Sequence, residues 1–143
     1  WSAIIAWPPC TDLCISGSRW HKLKIADGRQ QKAIDFVEQI WNADCPKIAI
    51  ENPVGVLSTK SKLGKATQYV CPTWFGETYR KKTGLWLKGF PKLVPTNKID
   101  ISTLTKKQLN KLYYLAPSPT RALQRSKTPH GLAQAIATQW GSL

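Results

Sequence analysis

Cys10 follows Pro8 and Pro9 directly, at the end of the apolar run Ala3–Trp7, and Glu51 lies near the end of a second short run, KIAIEN (residues 47–52). A thiol beside a carboxylate suits nucleophilic attack on a ring followed by protonation of that ring. Proline removes a ladder donor and fixes the backbone, so the two prolines stop the first run and stiffen the turn that presents Cys10. Taken singly, Cys10 reads as a small buried hydrophobe and Glu51 as a surface carboxylate at a strand end. Their shared position changes that reading, because open α/β sheets bind ligands beyond the carboxyl ends of their strands. The remaining candidates are weaker. Cys10, Cys14, Cys45 and Cys71 contain no C-x2-C pair, so no metal site is assigned and the thiols read as reduced. Cys14 reads as packing under the loop, Cys45 and Cys71 as structural, and His130 as an occupant of a helix's first turn. The Trp residues read mostly as core or sheet packing, with base stacking the alternative for Trp20 or Trp74.

The elements that must position these residues are legible in part. Ala3–Trp7 reads as a strand buried on both faces. Asp27 with Gln30 has the form of a capping box, and Ala33, Val37, Ile40 and Trp41 recur at helical spacing up to Pro46. KIAIEN then gives a second strand. Strand, helix, strand over some fifty residues is a βαβ unit with parallel strands. Residues 53–82 read as functional loop, GLWLKG (84–89) as a third strand, and KLVPTN (92–97) as loop or edge. Ser102–Tyr114 reads as a helix with Leu109, Leu112 and Tyr113 inward, and residues 116–127 as a basic connector. The last helix has Thr128 as N-cap, Pro129 at its first position, an apolar face of Leu132, Ala133, Ile136, Ala137 and Trp140, and Gly141 as a left-handed cap.

At 143 residues the chain is long enough for one domain with a real core, and no apolar run approaches a membrane span. The opening at Trp1 suggests a piece of something longer. Charge is distributed unevenly: residues 1–52 carry six basic and six acidic side chains, whereas residues 53–143 carry fifteen basic against only Glu77 and Asp100. The whole excess of +13 therefore falls in the later part, which points to a polyanion, with nucleic acid the expected partner.

Four segments resemble, in order, the DNA cytosine-5 methyltransferases. PPCT followed by SG resembles that family's Pro-Pro-Cys motif and the small-residue loop beyond it. IENPVG resembles its Glu-Asn-Val motif. FGETYRKKTGLWLKG is similar to a later basic segment leading into a strand, and GLAQAIATQW to the terminal helix. Over its length the chain is most similar to compact phage and prophage proteins described as DNA cytosine methyltransferases. The resemblance implies a partial Rossmann-like α/β methyltransferase fold of parallel strands and helices with a basic C-terminal part. It implies one domain over residues 1–143: a catalytic βαβ unit at 1–52, a basic loop and strand region at 53–128, and a terminal helix at 129–141. The implied function is transfer of a methyl group from S-adenosylmethionine to C5 of cytosine in DNA, in the cytoplasm of a bacterium or phage-infected host. Cys10 would attack C6 of a cytosine taken out of its stack, Glu51 would hold N3 and supply its proton, and Asn52 would fix that carboxylate. Pro9 and Thr11 would shape the loop over the base, and Arg80 and Lys82 would contact base or phosphate.

The sequence also departs from that pattern. Thr11 replaces the family's Gln, Pro53 its Val, and Tyr79-Arg80-Lys81-Lys82 only approximates Gln-x-Arg-x-Arg. Between Gly89 and the last helix there is little room for a large target-recognition region. No G-x-G turn for the cofactor is present, so that half would be trimmed away, supplied by another chain, or lost. Two other readings compete. An amino-methyltransferase acting on adenine N6 or cytosine N4 also has two prolines at this strand end, but Trp7 and Cys10 fit its pattern badly. A non-catalytic DNA-binding remnant needs only the basic half.

Overall fold

Strand β1 (Ile4–Ala6) and strand β2 (Ile48–Pro53) lie side by side and parallel, with Ile4 opposite Ile48 and Ala6 opposite Ile50. This is a computed structural model, and it describes Trp1 to Leu143 with the side chains at positions 16–17 excepted. The Ser16-Gly17 pair of the sequence reading lies outside those described side chains. Between the two strands run a 3-10 turn (Ile15–Trp20), α1 (His21–Ala26) and α2 (Arg29–Trp41). Ile34 and Val37 of α2 pack with Ile48 and Ile50 of β2, Leu13, Cys45, Val56, Leu57 and Trp86 in one apolar cluster. Strand–helix–strand order and the parallel pair match the sequence reading.

The rest of the sheet does not. The four-stranded sheet runs β1-β2-β4-β3, with β3 at Gln68–Val70 and β4 at Thr83–Lys88, and β4 is antiparallel to β2. The expectation of parallel strands throughout is therefore corrected to a mixed sheet. The physical reason is the connection. The chain between β2 and β4 is long enough for a parallel return but holds no crossover helix to cover the sheet: its one α-helix is α3 (Leu57–Lys60), a single turn. β1 packs Ile4 and Ala6 against the core and leaves its other face uncovered, so Ile5 and, beyond the strand, Trp7 are exposed and the strand is not buried on both faces.

The chain divides into two compact units, residues 1–69 with 83–92 and residues 70–82 with 93–143. In the second, α4 (Lys106–Leu109), α5 (Arg121–Ser126) and α6 (His130–Trp140) accompany 3-10 turns at Pro72–Trp74 and Ile101–Thr103. The helix expected at 102–114 shrinks to α4. Nothing from Ile101 to Leu115 is buried, and Tyr113, expected inward, faces solvent. Helix α5 falls within the segment read as a connector. Helix α6 is where expected, but Pro129 is its N-cap, Ala135 replaces Ala133 and Ala137 on the buried face, and Gly141 stays right-handed. The capping box expected at Asp27 and Gln30 is absent because Gly28, at φ +77°, caps α2. The box that forms joins Thr105 and Gln108 at α4.

Candidate functional site

The turn after β1 begins at Cys10, whose carbonyl accepts from the amides of Leu13 (3.0 Å) and Cys14 (2.9 Å). Pro8 is buried, Cys10 is half-buried, and Pro9 and Thr11 are exposed, so the loop offers its outer rim to solvent with the thiol between. Continuing the parallel register past Ala6 sets Pro8 level with Asn52. The Asn52 side chain is fully buried and its Nδ2 donates to the Pro8 carbonyl at 3.1 Å. That bond ties the strand end carrying Glu51 to the residue two before Cys10. Glu51 is itself 8 % exposed. Alternation along β2 puts Ile48, Ile50 and Asn52 on one face and Ala49 and Glu51 on the other.

The two loops are joined again further on. Ile15 N–H donates to Val54 O (3.0 Å) and Val56 N–H to Leu13 O (2.8 Å), forming a short antiparallel bridge between Cys14 and Gly55. A Cβ at Gly55 would collide with the Leu13 carbonyl, so the IENPVG motif needs glycine at its last position. Two residues of that motif thus bear on the thiol loop: Asn52 holds its entry and Gly55 admits its exit.

Side chains of two helices hold the loop, and a third helix supports one of them. The buried Lys24 of α1 pairs with Asp12 (Nζ–Oδ1 3.3 Å) and donates to the Thr11 carbonyl. Gln30 of α2 donates to the Asp12 carbonyl (3.3 Å) and accepts from Lys60 of α3 (2.8 Å). His21 Nε2 lies 3.3 Å from the Cys14 carbonyl. Sequence reasoning missed Lys24, Gln30 and Lys60. A lysine within six residues of short helix carries no periodic signal, and Gln30 was absorbed into an imagined cap.

Of the expected site residues, the structure gathers Pro9, Cys10, Thr11, Glu51 and Asn52 in the first unit. Arg80 and Lys82 belong to the second unit, and both are exposed. Arg80 is fixed there by its amide, which donates to Leu109 O at 2.9 Å. Beside it, Tyr79 has its phenol pushed above its ordinary range, first by burial and then by the charge of Glu77. Lys111 lies over the Tyr79 ring at 5.9 Å. Trp20 is exposed, with Arg19 over its ring at 5.2 Å, and Cys45 is buried, donating to the Lys47 carbonyl.

Among the described residues no three His, Cys, Asp or Glu side chains converge as a metal site, and no cysteines are bridged. No helix is long and apolar enough to cross a membrane. The residues present do not fit a cofactor cradle of the kind the resemblance implies. β1 runs into Pro8-Pro9, and the glycines at positive φ (Gly28, Gly64, Gly76, Gly89) do not follow the end of β1 or β2. Comparison with protein-family models, with curated proteins and with solved structures returns no match.

Proposed function

We propose that this chain carries the covalent half of DNA cytosine-5 methyl transfer, with Cys10 as nucleophile and Glu51 as the acid that holds and protonates N3. The supporting observation is the double tie between the thiol loop and the carboxylate strand, made by Asn52 at Pro8 and by the Cys14–Gly55 bridge. Reactions between a side chain and a ring depend on holding both partners to a fraction of an ångström, and such ties supply that rigidity. The Cys10 thiol releases its proton to solvent, the thiolate sulfur forms a bond to C6 of the extruded cytosine, and the electron pair of the C5–C6 double bond moves toward C5 and the ring. A proton from Glu51 to N3 neutralises the charge that builds there. Pro9 and Thr11 form the exposed rim over the base; Arg80 and Lys82, in the second unit, are assigned to nucleic-acid phosphate in their own right. S-adenosylmethionine is the methyl donor in this proposal. The described residues carry no cradle for it, and a preceding segment or a second chain would supply one.

The test is intact-protein mass after incubation with DNA bearing a cytosine analogue that traps C6 adducts, with and without S-adenosylmethionine. The expected adduct is absent from Cys10→Ala and forms on the order of 100-fold more slowly in Glu51→Gln, the usual scale for removing a general acid. An adduct that survives Cys10→Ala would sink the assignment. Binding without an adduct, with the cofactor segment restored, would favour a non-catalytic DNA-binding remnant instead. That second reading draws on the second unit, where ten basic side chains face only Glu77 and Asp100.

A further inference from the structure

A cavity of about 360 Å³ lies in the second unit, lined by Pro117, Ser118, Arg121, Ala122 and Arg125. It includes none of the residues assigned to the cysteine chemistry. Arg121 and Arg125 stand one turn apart on α5, a spacing at which like charges repel and cost helix stability. An anion between them would turn that repulsion into attraction. Arg121 Nη2 donates to the Tyr113 carbonyl at 3.2 Å, while its Nε is buried without a hydrogen-bond partner among the described residues. A buried donor without an acceptor is costly, and a ligand oxygen would satisfy it. Ser118 adds a hydroxyl at the wall. No carboxylate side chain occurs from residue 101 to the end of the chain, and the unit's two acids are engaged elsewhere. Asp100 accepts from Ser102, and Glu77 accepts from the Gly131 amide. Lys81 adds a further cation near the end of α5 by donating to the Lys127 carbonyl at 3.1 Å.

The cavity is therefore cationic and rich in donors, which is the chemistry of a phosphate site. Its border supplies something a free phosphate does not need. The chain at Tyr113 is held against Arg121, and Tyr113 (72 % exposed) and Tyr114 (52 % exposed) form an edge-to-face pair at 5.3 Å in open solvent. Exposed aromatic rings beside a phosphate-binding arginine are the parts of a single-strand platform, in which the arginine takes the backbone and the ring takes a base.

We infer that the Arg121–Arg125 cavity binds a backbone phosphate of single-stranded nucleic acid whose adjoining base stacks on Tyr113. This deepens the nucleic-acid part of the proposed function and is independent of Cys10. The experiment is fluorescence anisotropy with a labelled single-stranded oligonucleotide free of C6-trapping analogues, across a salt series, on the full chain. Arg121→Gln/Arg125→Gln is expected to weaken binding tenfold or more and to lower the salt slope by about 0.7, the value for one single-strand phosphate. Arg125→Gln alone, which leaves the Tyr113 carbonyl bond intact, and Tyr113→Leu should each weaken it several-fold with an unchanged thermal midpoint. The charge-matched Lys32→Gln/Lys98→Gln should change affinity less than threefold. Equal losses in the arginine and lysine pairs would overturn the site in favour of diffuse charge. Loss of inorganic-phosphate binding in the arginine pair, followed by NMR, with oligonucleotide affinity unchanged would overturn it in favour of a free-phosphate site. The oligonucleotide carries no C6-trapping analogue, so its affinity does not report on adduct formation, and a failed C6 adduct and a failed phosphate site are separate results.

Discussion

Asn52 is the residue on which the candidate site turns, because one buried amide joins two strand ends that would otherwise be held only by their ladder. Its Nδ2 reaches Pro8 O, and its Oδ1 is buried without a hydrogen-bond partner among the described residues. Asn52→Ala removes the donor and leaves the Pro8 carbonyl buried, which should cost about 1–3 kcal/mol in urea unfolding. The same substitution should free the Cys10 turn, so alkylation of Cys10 under native conditions should quicken by more than that of the buried Cys45. Equal quickening at both thiols would mean global loosening and would remove Asn52 from its positioning role. The sequence motif already singled this residue out, but assigned it to the neighbouring carboxylate. The bond to Pro8 was illegible because it spans 44 residues and depends on the parallel register.

At the scale of elements, the loops are built by close approach as much as by packing. Gly55→Ala must push the Leu13 carbonyl away and break the Cys14–Gly55 bridge, so it should cost about 1–3 kcal/mol as an overpacking change. Gly64, unlike Gly55, sits at positive φ (+67°) and has open space where a Cβ would go. Gly64→Ala should therefore carry backbone strain alone, about 1–2 kcal/mol, and leave Cys10 reactivity unchanged. A thermal shift together with thiol accessibility separates the two; unchanged Cys10 reactivity in Gly55→Ala would refute the role given to the bridge.

Acid stability belongs to this scale too. The Asp27 carboxylate, beside the Arg29 amide at the start of α2, and Asp100, beside the Ser102 hydroxyl and amide, are both held below the ordinary value of 3.8. A lowered folded pKa gives stability that is present above about 3.8 and lost as pH falls through the folded values. The unfolding midpoint should drop on that acid limb, and Asp27→Asn/Asp100→Asn should flatten it. A limb of unchanged steepness would assign the loss to other carboxylates. The strand–helix–strand start was legible because its apolar spacing is regular and prolines mark the ends of its first strand and its helix. The reach of α4 was not, since Leu109, Leu112 and Tyr113 imitate a helical face that has no core to meet. The direction of β4 was also hidden, because GLWLKG reads the same in either sense.

Across the whole molecule the charge excess outlasts the details of any one loop. The chain carries a net +13, and the second unit holds ten basic side chains against two acidic ones, whereas the first holds eleven against six. A polyanion that condenses counterions should therefore bind with an affinity that falls steeply and linearly on a log–log salt plot. If binding is seated on the second unit, Lys106→Gln/Lys107→Gln/Lys111→Gln should lower the duplex-DNA slope by up to about 0.9 for each phosphate no longer neutralised. The same number of changes in the first unit, Lys22→Gln/Lys32→Gln/Lys47→Gln, should leave the slope within error. All six lysines are exposed or half-buried, so neither triple should unfold the chain. Equal reductions in slope from the two triples would mean that DNA samples the molecule as a uniformly positive body. The asymmetry of charge along the sequence would then describe solubility and not an interface, and the assignment of Arg80 and Lys82 to phosphate would lose its electrostatic support.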